Sequence, residues 1–449
     1  MLKDSITTIS LLVAMLVSPL CQAMTLGEAV QEAIQNDPLV RESDALFAAE
    51  QQLGAQVAST LRPTVSAQGT LARNRNQNES QFFGSFEETY NDNTVGISAR
   101  QLVYRYDWFA LRKHATALDA QADASLLQRQ QAFALRITER YFAVLMAQAG
   151  LDLAQADADA INESLEDTRK RFEVGLVAGT DLKEAQARKD LAQARLILAR
   201  DQVASARETL DESTGRGFEP LPQLDENAGL PAVMPDDPDA WVVKARAQNP
   251  ILLQADQEVV IAEATAKTAL ADILPRVDAV ASYRELDTSE SLIGSERDEA
   301  RIGLELNVPI YAGGLGQARK REAAARLELA EAKKRRLLAE TERLTRQRFR
   351  ELKTAYAQDR ALKVAAQSAE AAEIATRNGY EAGTRTITDV LNARSAVIAA
   401  RREQVINRYN LLLNWLRLKE TTAELGNDDF SQIDGLLSQP ASNESGEQS

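Results

Sequence analysis

Few residues in this chain are placed to carry out a reaction. The sequence has 449 residues and one histidine, His114, set amid Leu111-Arg112-Lys113. As a general base or metal ligand it lacks evident partners, and a solvated helix face is the expected setting. Carboxylates are abundant but scattered along helical stretches, as in Glu166-Asp167. Gly313-Gly314-Leu315-Gly316 lacks the Lys-Ser/Thr that completes a phosphate loop, and it reads as a turn from strand to helix. The run Lys333-Lys334-Arg335-Arg336 reads as a solvated helix face. An enzyme is not expected, nor a cofactor or metal. The formal net charge of −14 disfavours nucleic acid, whose phosphates demand a basic surface.

Two short motifs remain, and one repeats the other. Phe172-Glu173-x-Gly175 through Thr180-Asp181 returns as Tyr380-Glu381-x-Gly383 through Thr388-Asp389. Gly175 and Gly383 suit helix C-terminal caps, and Gly179 falls in the same turn. Thr180 or Thr386 can cap the next helix, with Asp181 and Asp389 near its positive end. Such a capping role leaves a second, gating role open.

The elements holding these motifs are also written twice. Asn36-Asp37-Pro38 returns as Gln248-Asn249-Pro250, about 212 residues on, and further echoes keep the same order. Two homologous halves follow, 24–220 and 239–428, joined by a Pro- and Asp-rich linker at 221–238. Residues 429–449 are polar and read as a disordered tail. Residues 1–23 have a charged start, an apolar core and a small-residue exit, the form of a cleaved secretory signal. Cys21 lies inside it, so the mature chain is expected to hold no thiol.

Each half predicts a short helix, a second helix, two strands, a very long helix and a long return helix. Val65, Ala67, Gly69 and Leu71 alternate with Thr64, Ser66, Gln68 and Thr70, and three further segments alternate likewise. Each is about ten residues, enough for a tilted strand to cross a bilayer, with long polar loops predicted at 74–93 and 286–299. Four strands cannot close a barrel, so a barrel must be shared between chains. Ile137, Val144, Leu151, Ala158, Leu165 and Phe172 form one seam of the first long helix, and Leu135, Phe142, Ala149 and Ala156 a second. The seams lie about 155° apart, so the helix should have a neighbour on each side, as in a hollow wall.

Together with Thr25-Leu26-x-Glu28-Ala29, Val308-Pro309-Ile310-Tyr311-Ala312-Gly313-Gly314 and the stretch from Gly379 to Ala393, these marks make the chain resemble the TolC family of outer-membrane efflux and type I secretion proteins. The resemblance implies an α+β membrane protein: a homotrimer with a twelve-stranded β-barrel among outer-membrane lipid and a long α-helical periplasmic barrel. It also implies a periplasmic adaptor and an inner-membrane RND or ABC transporter as partners. By resemblance, Asp181, Tyr380 and Arg385 would form the periplasmic gate. Asp389 and Asn392 would line the entrance constriction, where three Asp389 carboxylates can bind cations. The family often has a second Asp where this chain has Asn392, which weakens the negative field. An elongated periplasmic coiled-coil adaptor or scaffold without a channel is the alternative.

Overall fold

In a computed structural model of the chain, describing residues 24–80, 84–215, 217, 221–225, 228–289 and 295–438, the written repeat becomes a repeat of elements. The first half contains α1 (Leu26–Asn36), α2 (Pro38–Ser59), β1 (Thr64–Ser80), β2 (Gly84–Tyr104), α3 (Trp108–Glu173) and α4 (Gly179–Thr214). A short strand, β3 (Gln223–Leu224), follows. The second half contains α5 (Pro238–Gln248), α6 (Pro250–Ala271), β4 (Arg276–Ser289), β5 (Ser295–Asn307), α7 (Leu315–Glu381) and α8 (Ile387–Glu420). The last elements are α9 (Asn427–Asp434) and β6 (Leu437–Ser438). The expected signal segment, with Cys21, lies outside the described residues.

The proline motifs build one joint twice. Proline suits the first helical turn, and the residue before it is held extended. Asp37 and Asn249 therefore end one helix and cap the next, accepting from Leu39 N at 2.8 Å and Ile251 N at 3.0 Å. Each side chain also ties the joint to a long helix. Arg136 donates to Asp37 at 2.6 Å, and Asn249 donates to the Thr421 carbonyl at 2.9 Å.

The four long strands form one antiparallel sheet in the order β1-β2-β4-β5. Its register aligns the alternating residues into rows. Val65, Ala99, Ala281 and Ile302 lie in one row, and Ala67, Ile97, Tyr283 and Ala300 in the next. The other face carries Ser66, Ser98, Ser282 and Arg301. There Arg100 bridges Asp278 at 3.1 Å and Glu305 at 3.3 Å. One face is thus an uncovered apolar belt, with Ile302 89% and Leu71 85% exposed. The strands exceed the expected ten residues. β1 and β2 stay paired from Thr64↔Arg100 to Ser80↔Gly84, through most of the segment expected as a loop, and β4 and β5 likewise extend to Thr288↔Ser295. Backbone pairing needs no apolar face, so an antiparallel ladder continues through polar residues until the chain reverses.

The helices make one layer. α3 packs on α2, α4, α6 and α8, α7 packs on α6 and α8, and α4 also touches α8 near the hairpins. The doubled seam of α3 accounts for this. Ile137, Val144 and Leu165 are buried, as is Phe142 on the second seam, while Ala156 and Phe172 near the far end are exposed. Ala185, Ala192 and Ala199 are buried on α4, where small side chains let the helices approach. At about 1.5 Å per residue, α3 extends roughly 100 Å.

A belt around the middle holds the main core, with Tyr141, Phe142, Tyr409, Trp241 and Trp415 packed among leucines. Here one expectation fails. The segment from 429 begins as structure, because Phe430 and Ile433 on α9 are buried in this core and β6 pairs with β3. Asp434 also accepts from Leu26 N at 2.7 Å and Gly27 N at 3.1 Å, satisfying the first amides of α1. The linker is likewise packed, through Leu221, Leu224, Leu230 and Val233. Both segments are too short for a period to be visible; their order comes from the surface they cover.

Candidate functional site at the helical hairpins

Each hairpin starts where a long helix stops. Gly175 and Gly383 take positive φ, 78° and 75°, which side chains with a Cβ resist. Gly175 N donates to Phe172 O at 2.9 Å and Leu176 N to Arg171 O at 2.8 Å. Gly383 N donates to Tyr380 O at 3.0 Å and Thr384 N to Gly379 O at 2.8 Å. Both are Schellman closures, so the helix ends are built alike.

The helix starts differ. Gly179 is the first residue of α4, and Ala178 before it has no side-chain oxygen, so Thr180 caps nothing. Thr386 caps α8 fully. Its hydroxyl accepts from Asp389 N at 3.2 Å, and Asp389 Oδ2 accepts from Thr386 N at 3.0 Å and from its hydroxyl at 2.9 Å. The bonds from the Thr386 backbone and side chain, aided by the nearby Arg385 charge, hold the Asp389 carboxyl below its ordinary range.

Of the remaining expected gate residues, Tyr380 and Arg385 lie at the second hairpin and Asp181 at the first. The Arg171 guanidinium lies 4.8 Å from the centroid of the half-buried Tyr380 ring. The Tyr380 hydroxyl has no hydrogen-bond partner among the described residues. Burial pushes the phenol up, Arg171 opposes this, and the Asp167 and Asp181 charges add to the rise. Arg385 is exposed, and its stem folds over the end of α7, where a Cβ on Gly379 would come within 2.8 Å of Arg385 Cγ. Among the described residues, neither Tyr380 nor Arg385 bonds to Asp181, which stands on the other hairpin.

The hairpins are instead joined by two residues of α4 outside the repeated motif, Glu184 and Arg188, which meet Thr388 and Asn392 of α8. Arg188 on α4 donates to Asn392 Oδ1 on α8 at 2.8 Å. Thr388 donates to Glu184 Oε2 at 2.9 Å. Beside them Ile161, Ala192, Ile387 and Leu391 form a small apolar core, with Tyr380 and Val390 against it. A cleft of about 340 Å³ opens next to this core, lined by Asp167, Arg171, Arg377, Tyr380 and Arg394 among others. Further along, buried Asp157 faces Arg195 at 3.7 Å, and buried Glu373 pairs with Arg377 and lies 3.9 Å from Arg394. Burial pushes the Asp157 carboxyl up against the pull of both arginines. Only the i,i+4 spacing of Glu184–Arg188 and Glu373–Arg377 hinted at any of this in the sequence. His114, expected on a solvated face, is half-buried on α3, and burial lowers its pKa.

Known proteins match this arrangement along most of their length. Outer membrane protein TolC of Vibrio cholerae serotype O1 is 29% identical over 420 residues, spanning 92% of this chain and 94% of that protein. Alkaline protease secretion protein AprF of Pseudomonas aeruginosa is 28% identical over 421 residues, spanning 92% and 87%. The crystal structure of the outer membrane protein VceC from Vibrio cholerae superposes with a TM-score of 0.77 at 19% identity, over 89% of this chain and 96% of that one. That likeness concerns the fold. The family model described as outer membrane efflux protein matches residues 29–216 and again 241–424, once in each half. With both halves matched, the chain belongs to the outer membrane efflux protein family.

Proposed function

We propose that three copies of this chain form an export channel, with a β-barrel in the outer membrane and a helical tunnel in the periplasm. It would carry small molecules or proteins delivered by an inner-membrane RND or ABC transporter through a periplasmic adaptor. The observation that carries this reading is the pair of open flanks. β1 and β5 are the two edges of the sheet. An open edge cannot sit in lipid, since each unpaired backbone group there costs several kcal/mol. The smallest membrane barrels have about eight strands, so four must be supplemented, and three copies give about twelve.

The helices have matching open flanks. α2 and α4 pack on α3, and α7 packs on α6 and α8. Leu39, Leu46 and Leu53 recur every seventh residue on α2 without cover, as do Leu191 and Leu198 on α4; Leu329, Val364 and Ile374 are uncovered on α7. Joining the α7–β5 flank of one copy to the α2–α4–β1 flank of the next would close barrel and tunnel together. The hairpins would then ring the periplasmic entrance, with Asp181, Tyr380 and Arg385 as gate residues and Asp389 and Asn392 at the constriction. An adaptor would have no use for an apolar sheet face.

Relatives are named for both classes of export. AprF and PrtF are named for protease secretion, and BepC of Brucella suis for efflux. Envelope fractionation tests the reading. It predicts a heat-resistant trimer recovered with the outer membrane; a soluble monomer in the periplasmic fraction would overturn it.

A further inference from the structure

We propose that Glu184, Arg188, Thr388 and Asn392 form a four-residue latch that sets how firmly the two hairpins of each chain are held together at the entrance. The inference rests on the channel reading and adds to it a set of residues of which only Asn392 belongs to the expected entrance. Glu184 and Arg188 are one turn apart on α4, and Thr388 and Asn392 one turn apart on α8. Each helix therefore presents both of its residues on one face. The contacts run as a chain from Asn392 through Arg188 and Glu184 to Thr388. Arg188 donates to Asn392 Oδ1 at 2.8 Å, Thr388 donates to Glu184 Oε2 at 2.9 Å, and Arg188 lies 3.8 Å from Glu184. Both cross-helix bonds join residues 204 positions apart, so they report on the hairpins' relative position and not on either hairpin's own fold.

The setting suits a bond that must be released. The Arg188 and Glu184 side chains are 31% and 41% exposed, so water can replace each lost contact. Partly exposed polar contacts are individually weak, and a chain of them breaks without stranding a buried charge. Asn392 is already committed: its oxygen serves Arg188. A carboxylate at that position would therefore do more than add charge to the entrance. It would face the guanidinium at hydrogen-bond range, turning a bond with one charged partner into an ion pair that can be bidentate.

Single-channel recording of the purified full-length protein in planar bilayers tests the latch. Arg188→Ala should raise conductance severalfold, and Arg188→Lys should restore part of the closure. Asn392→Asp should lower conductance, and should lose that effect when combined with Arg188→Ala, because coupled residues do not add. If Asn392→Asp has the same effect in both backgrounds, it acts as a ring charge alone and the latch is refuted. Conductance unchanged by Arg188→Ala in a conducting protein refutes it too. A wild-type protein that never conducts would instead refute the channel reading.

Discussion

The Asp389 carboxylate, proposed for the entrance constriction, also caps α8. Both of its cap bonds fall on Oδ2, leaving Oδ1 free of them. Because the folded carboxyl is held below the ordinary 3.8, its cap is present at neutral pH and is lost only as pH falls past that lowered value. Asp389→Asn should therefore cause at neutral pH the fraying of the α8 start that acid causes only below 3.8. Hydrogen exchange at the first turn of α8 reads this. Asp389→Ala should also change block of the channel by divalent cations in bilayer recordings. Among the described residues Arg385 is exposed, and the proposed gate role can be tested on it directly. Arg385→Ser should raise single-channel conductance, and unchanged conductance would remove Arg385 from the gate. The caps around these residues were legible in the sequence because caps are local. Glu184 and Arg188 were not, because their partners lie on a helix 204 residues away and spacing along α4 says nothing about α8.

Among the elements, the sheet and α9 carry the sharpest expectations. Ile302 stands in the central row of the apolar belt. Ile302→Arg should cost about 2–4 kcal/mol of barrel stability, as a charge at mid-membrane does, and should reduce the trimer recovered from outer membranes. Glu305 on the opposite face pairs with Arg100, so a charge there is already accommodated. Asp434 belongs to a different joint, where the chain's end caps its beginning. Asp434→Ala leaves two α1 amides without acceptors and should cost about 1–2 kcal/mol, read as a lower melting temperature with conductance unchanged. Alternation showed the strand faces and a seven-residue period showed the seams of α3, because each repeats many times over a long element. The hairpin extensions beyond the belt were read as loops because polar residues carry no such signal. α9 was read as tail because eight residues hold too few apolar positions to form a pattern.

At the scale of the whole molecule, duplication explains the shape. Each half contributes two strands to the sheet and a long helical hairpin to the layer. The helices leave apolar flanks uncovered on α2, α4 and α7, as the sheet leaves its two edges open. Strand count read from sequence already demanded a shared barrel, whereas the proposed pairing of flanks draws on the helix contacts of the folded chain. The central claim is that these flanks close on one another into a conducting tube. Planar-bilayer recording of the protein extracted from outer membranes, with no other component added, tests it most directly. The account predicts discrete current steps from a particle of three chains; a monomer that passes no current would contradict it.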